Sequence, residues 1–100
     1  MSKWRSIMQK NPTECYICGR NGNGDRLEKH HVLGGSNRDF SEADGLYVML
    51  CGERCHRNGK IAAHRCRATS DYLAEEAQSA YEHCIGSHEE FMARYGRNYL

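Results

Sequence analysis

The chain has 100 residues, six cysteines, six histidines and a formal net charge of +1 at pH 7. A chain this short is one domain with a modest core, which calls for a staple such as a metal or a disulfide. Near-neutral charge excludes a uniformly basic coat. The opening residues MSKWRSIMQK carry no apolar run long enough for a signal peptide or a membrane span, so a cytoplasmic location and reduced thiols are expected.

Residues up to about Asn11 are polar, with Trp4, Ile7 and Met8 as anchors of one or two helical turns, and Pro12 ends that segment. Cys15 to Cys18, followed by Gly19, has the form of a metal knuckle, and Asn21-Gly22-Asn23-Gly24 is a turn run. Leu27 to Leu33 predicts a short strand. Gly34-Gly35-Ser36-Asn37 predicts a loop that continues through Arg38 to Asp44. Leu46 to Leu50 is the best strand in the chain, short and apolar. A helix is predicted from about Glu53 to Arg65, weakened at Gly59 by about 1 kcal/mol relative to alanine.

Beyond Thr69, the residues Leu73, Ala77, Ala80, Tyr81 and Cys84 recur at helical spacing, and Gly86 ends that helix. Cys84 reads as helix core; Cys66 has no partner by motif. Ser87-His88-Glu89-Glu90 is a capping-box signature opening a last helix with Phe91, Met92 and Tyr95, closed by Gly96.

Charge is unevenly spread. Arg54, Arg57, Lys60, Arg65 and Arg67 form a basic block without an acid, whereas Asp71 to Glu90 carries six acids without a Lys or Arg. A charge run is by default a solvated helix face. Because the basic block also holds His56 and His64, Arg54, Arg57 and Lys60 are candidate phosphate contacts. The acidic helix is expected to pack on the core rather than to touch nucleic acid.

The chemistry-bearing pattern is Cys15-x2-Cys18, then His30-His31, then Cys51-x3-Cys55-His56. Paired cysteines at short spacing in a reduced compartment favour metal over disulfides. Two such pairs can converge on one tetrahedral zinc, with sulfur at about 2.3 Å. The second spacing is one residue longer than usual, and Gly52 can absorb the extra residue. His30 and His31 are adjacent, so on a strand they face opposite sides and take different tasks.

These residues resemble the HNH endonucleases, the ββα-metal or His-Me finger nucleases, and are similar in particular to zinc-stapled members from bacteriophages and prophages. The resemblance covers about Cys15 to His64. It implies an α+β fold: a small, treble-clef-like ββα-metal core over residues 1–66, with a C-terminal helical extension, residues 67–100, packed on it. It implies a structural Zn2+ on Cys15, Cys18, Cys51 and Cys55. It also implies a second, catalytic divalent ion (Mg2+, Mn2+, Ni2+ or Zn2+) on His30 and His56. His64 is a further candidate ligand, two turns on, able to reach that ion if the backbone bends at Gly59.

By the same resemblance, His31 is the general base. An imidazole suits that task, with an unperturbed pKa of about 6.5. The family's asparagine, shortly before the second cysteine pair, is replaced here by Leu46. Asp44 is the candidate to hold the His31 ring in its stead. The implied activity is hydrolysis of DNA phosphodiester bonds to 5′-phosphate and 3′-hydroxyl ends, in the cytoplasm of a bacterial host, with DNA as partner and a recombinase or terminase as possible company. The competing reading is a non-catalytic zinc adaptor of the same fold that binds DNA or protein.

Overall fold

The computed structural model describes residues 4–100; residues 1–3, where the predicted N-terminal turn begins, lie outside it. Strands β1 (Leu27–His31) and β2 (Tyr47–Cys51) form a two-stranded antiparallel sheet that pairs Glu28 with Leu50, His30 with Val48 and His31 with Tyr47. Three helices complete a small α+β fold: α1 (Arg38–Asp44), α2 (Arg67–Cys84) and α3 (His88–Tyr95). No helix among the described residues is long and apolar enough to cross a membrane.

β2 carries the apolar residues, and Tyr47, Val48, Leu50 and Cys51 are all buried. The N-terminal segment covers its other edge. Met49 N donates to Gln9 Oε1 at 2.8 Å, Tyr16 N to Met49 O at 2.8 Å, and Ser6 Oγ to Tyr47 O at 2.6 Å. A two-stranded sheet would otherwise present open backbone groups there. This bonding corrects the expected helical turns: residues 4–11 form no helix, because Ser6 and Gln9 spend their polar groups on β2. Trp4 does act as an anchor, edge-on to Tyr47 with centroids 5.0 Å apart.

Arg38 to Asp44 is also corrected, from loop to helix. Apolar periodicity is weak over seven residues. The helix is held instead by Ser41, fully buried, whose Oγ donates to Leu46 O at 2.6 Å. Gly45 closes it at φ +73°, where a side chain would be strained and would strike the Arg5 carbonyl.

The predicted helix from Glu53 to Arg65 is not continuous. Gly52–Arg57 is a single wide π-type turn. Its first free amides, Glu53 N and Arg54 N, donate to the Asp25 carboxylate at 2.9 and 3.0 Å. The chain then reverses at Gly59, whose amide donates to Glu53 O at 2.8 Å. Any Cβ at position 59 would collide with the Arg54 carbonyl, so only glycine permits the reversal.

The two C-terminal helices follow their sequence signals. Leu73, Ala74, Ala77, Gln78 and Tyr81 form the buried stripe of α2, and the capping box of Ser87 and Glu90 is formed in full at α3. The acidic helix does pack on the core. Cys84 is a correction: it is exposed, one turn past Tyr81, where the stripe ends as the chain leaves for α3. Two buried clusters result. One joins Val48, Leu50, Ala63 and Leu73 to Cys15, Cys51 and Cys55; the other joins Leu33 and Leu46 to Tyr81, Phe91 and Tyr95.

Candidate metal centre

Cys15 and Cys18 sit on a tight turn closed by Gly19 N donating to Cys15 O at 2.9 Å and by Cys15 N donating to Arg20 O at 2.7 Å. Cys51 ends β2, and Cys55 lies on the π-type turn that follows. These elements bring the four sulfurs within 4.8 Å of one another. Cys15, Cys51 and Cys55 are buried, and Cys18 is exposed. Cys18 Sγ and Cys51 Sγ are 3.5 Å apart, too far for a disulfide of about 2.05 Å. The separation is close to the edge, roughly 3.8 Å, of a tetrahedron with 2.3 Å metal–sulfur bonds.

Electrostatics point the same way. Burial, then the neighbouring thiols of Cys18 and Cys15, pushes the Cys51 thiol up to about 12. Cys55 is raised further, by burial first and then by the thiols of Cys15 and Cys18. Burial works against ionisation of Cys15 too, yet hydrogen bonds from the backbone of Cys18, Cys51 and Ile17 bring it down to about 7. Four thiols in contact cannot all ionise without a cation between them, and a divalent ion supplies that charge. The group can hold a metal ion such as zinc. Cys66 stands outside it, as the residue preceding α2.

The second group is built from β1 and the reversal after β2. Ala63 N donates to Cys55 O at 2.7 Å and His64 N to His56 O at 3.0 Å, so the returning chain lies against the π-type turn. The bend at Gly59 thus delivers His64 to His56. Their Nε2 atoms are 3.1 Å apart, and the ring of His30 lies 5.0 Å from that of His56 and 5.3 Å from that of His64. One ring nitrogen from each of the three falls within 4.8 Å of the others, an arrangement that can hold a metal ion. Nitrogens bound at 2.0–2.1 Å in a tetrahedron stand roughly 3.4 Å apart, so the donor set fits.

Glu28 explains the orientation. It lies two residues before His30 on β1, hence on the same face of the strand. Its Oε1 is 2.9 Å from His56 Nδ1, and its Oε2 accepts from Arg57 Nη2 at 2.5 Å. The carboxylate fixes the proton on Nδ1 of His56 and leaves Nε2 with its lone pair towards His64. The hydrogen bond to His56 keeps the Glu28 carboxyl below its usual range; burial opposes it, and the charge of Arg57 adds a lesser lowering. Burial, then the adjacent imidazoles of His56, His64 and His31, pushes His30 down to about 3. His64 is lowered by burial, then by His56 and Arg57. Neutral imidazoles are the ligand form.

His31 points to the other face of β1, as alternation requires. Its Nε2 is 2.7 Å from Glu42 Oε1, which also accepts from Lys29 Nζ at 2.7 Å. Asp44 is therefore a correction. It accepts from Arg94 Nε at 2.6 Å, Arg94 Nη2 at 3.0 Å and Tyr95 Oη at 2.6 Å, and so pins α3 to α1; the partner of His31 is Glu42. The two faces reunite where β1 ends. A cavity of about 270 Å³ is lined by Lys29, His30, His31, Gly34, Gly35, Arg38, His56 and His64.

The three predicted phosphate contacts divide. Arg57 is paired with Glu28 behind the imidazoles. Arg54 and Lys60 line a separate cavity with Gly24, Asp25 and Asn58. Glu28, Glu42 and Arg38 were missed by sequence reasoning. Only Glu28 left a signal, its two-residue offset from His30. Comparison of the chain with protein families, with curated proteins and with solved structures gave no match.

Proposed function

We propose that this chain is a metal-dependent endonuclease of the HNH type, with a zinc-stapled ββα-metal core, that hydrolyses phosphodiester bonds in DNA. The observation that carries the reading is the joint convergence of His30, His56 and His64 on one point with His31 on the wall of the same cavity. Three imidazoles and an orienting carboxylate are a first set of ligands with its supporting group. An imidazole held by a second carboxylate is a general base with its orienter. A structural site needs only the former.

The structural ion is assigned to Cys15, Cys18, Cys51 and Cys55, and the second ion to His30, His56 and His64. That second ion, when bound, offsets negative charge that builds on the phosphate during hydrolysis. Its three nitrogen donors favour Zn2+, Ni2+ or Mn2+ over Mg2+, which prefers oxygen. Glu42 accepts a hydrogen bond from Nε2 of His31, leaving Nδ1 as the proton acceptor. His31 then takes a proton from the attacking water. The new bond forms between water oxygen and phosphorus, the bond to the 3′ oxygen breaks, and that oxygen takes a proton from solvent and leaves as a hydroxyl, while His31 returns its proton to solvent. Phage or prophage origin, a bacterial cytoplasm as the place of action, and service to a recombinase or terminase all belong to this proposal.

The test is plasmid cleavage by wild type and His31→Ala across Zn2+, Ni2+, Mn2+ and Mg2+. The variant is expected to retain zinc and fold but to cut at least 100-fold more slowly, the lower end of the usual contribution of a general base. Equal cutting by both proteins removes His31 from its role. No cutting by wild type with any ion leaves the non-catalytic adaptor.

A further inference from the structure

The cavity at the end of β1 has an unusual wall. Four imidazoles, Lys29, Arg38 and two glycines line it, and no carboxylate among the described residues does. The nearby acids, Glu28 and Glu42, lie behind the histidines and are already hydrogen-bonded to them. The cations differ in their commitments. Lys29 is paired with Glu42 and lies 4.0 Å from the centre of the Tyr47 ring. Arg57 is paired with Glu28, Arg67 with Asp71 and Arg94 with Asp44. Arg38 is exposed and has no ion pair or side-chain hydrogen bond among the described residues.

An uncommitted guanidinium on a wall without acids suits an anion. Its planar fork matches two phosphate oxygens at once, which a lysine cannot do. Gly34 and Gly35 leave that side of the cavity without side chains, so a bulky ester can approach. At about 270 Å³ the cavity is smaller than the roughly 300–1,000 Å³ that encloses a drug-sized ligand. It has room for a phosphate and part of a sugar. Apart from the imidazoles it offers no aromatic ring on which a base could stack.

We propose that this cavity seats a single phosphodiester, read by its charge and not by its bases, and that Arg38 is the residue that binds it. The inference rests on the nuclease reading of the same site and replaces Arg54, Arg57 and Lys60 as the contacts nearest the reacting phosphate. Contact with the backbone alone fixes position without reading sequence.

The test is an NMR titration of the zinc-loaded full chain with a thymidine dinucleotide, which carries one phosphodiester, and with its uncharged methylphosphonate analogue. Wild type is expected to bind the diester through resonances of Arg38 and the cavity, and to bind the analogue at least tenfold more weakly. Arg38→Ala is expected to lose at least tenfold in affinity, Arg38→Lys to recover part of it, and Arg67→Ala to match wild type. The exposed position of Arg38 keeps folding out of the result, which retained zinc checks. Equal affinity of Arg38→Ala and wild type, equal binding of the two ligands, or no binding by wild type overturns the proposal. Plasmid cutting is scored separately. Arg38-dependent binding without cutting sinks the nuclease reading alone; cutting with an unchanged KM in Arg38→Ala sinks the Arg38 assignment alone.

Discussion

Two glutamates decide what His56 and His31 can do. Glu28 holds His56 on one face of the strand and Glu42 holds His31 on the other. Glu28→Gln keeps the shape and removes the charge that fixes the His56 proton. Affinity of the imidazole group for Co2+, read from its visible absorption, is expected to fall about 10- to 100-fold, with the sulfur-bound ion retained. Unchanged affinity would make Glu28 a partner of Arg57 only. The histidines and the four cysteines were legible in the sequence because such residues are scarce and their spacing is constrained. The acids were not. Surface glutamates are common, and their partners depend on which chain segments the tertiary fold brings alongside. Asp44 shows the cost of arguing from nearness in sequence. Its partners, Arg94 and Tyr95, lie some fifty residues away on α3 and could not be read from the segment around it.

At the scale of elements, the segment after β2 is the least predictable and the most consequential. A residue count that suits an α-helix is spent instead on one π-type turn and a reversal, and such turns recur at functional sites. Gly59 reads in the sequence both as a weak point within a helix and as the place where a bend would let His64 reach the ion, and the second reading is the one the fold uses. It does not thin a helix; it permits the chain to return. Gly59→Ala is expected to cost about 1–3 kcal/mol in urea unfolding, as overpacking against backbone does. It should also weaken metal binding at the imidazoles, because His64 arrives by way of that reversal. A variant with unchanged stability and affinity would show that the Arg54 carbonyl can shift at no cost. The C-terminal helices were legible because each carries a local rule, a buried stripe in α2 and a capping box in α3. α1 was not, since its support comes from Ser41, whose hydroxyl reaches across the turn at Gly45 to Leu46.

At the scale of the whole molecule, the sulfur group stands inside one of the two buried clusters, with Val48, Leu50, Ala63 and Leu73 around it. Without an ion, the group leaves the buried thiols of Cys15, Cys51 and Cys55 facing one another. With zinc assigned to that group, chelation at neutral pH is expected to abolish the cooperative melting transition seen by circular dichroism, and zinc is expected to restore it. A transition at the same temperature after stripping would mean that the sulfurs hold no ion of structural weight. The α+β class was legible from the short strands and the periodic tail. The layout of the two clusters was not, because Met8 and Val32 each pack on both of them from segments far apart in the chain.

Cys55 and His56 are consecutive, one turned to the sulfurs and the other to the imidazoles. Occupancy of either group therefore narrows the conformations open to its neighbour, and thermodynamic reciprocity requires the influence to be equal in both directions. On the proposed two-ion reading, an ion on the sulfurs would prepay part of the entropy of arranging the imidazoles, so the second group would take its ion more tightly in the zinc-loaded chain than in the stripped one.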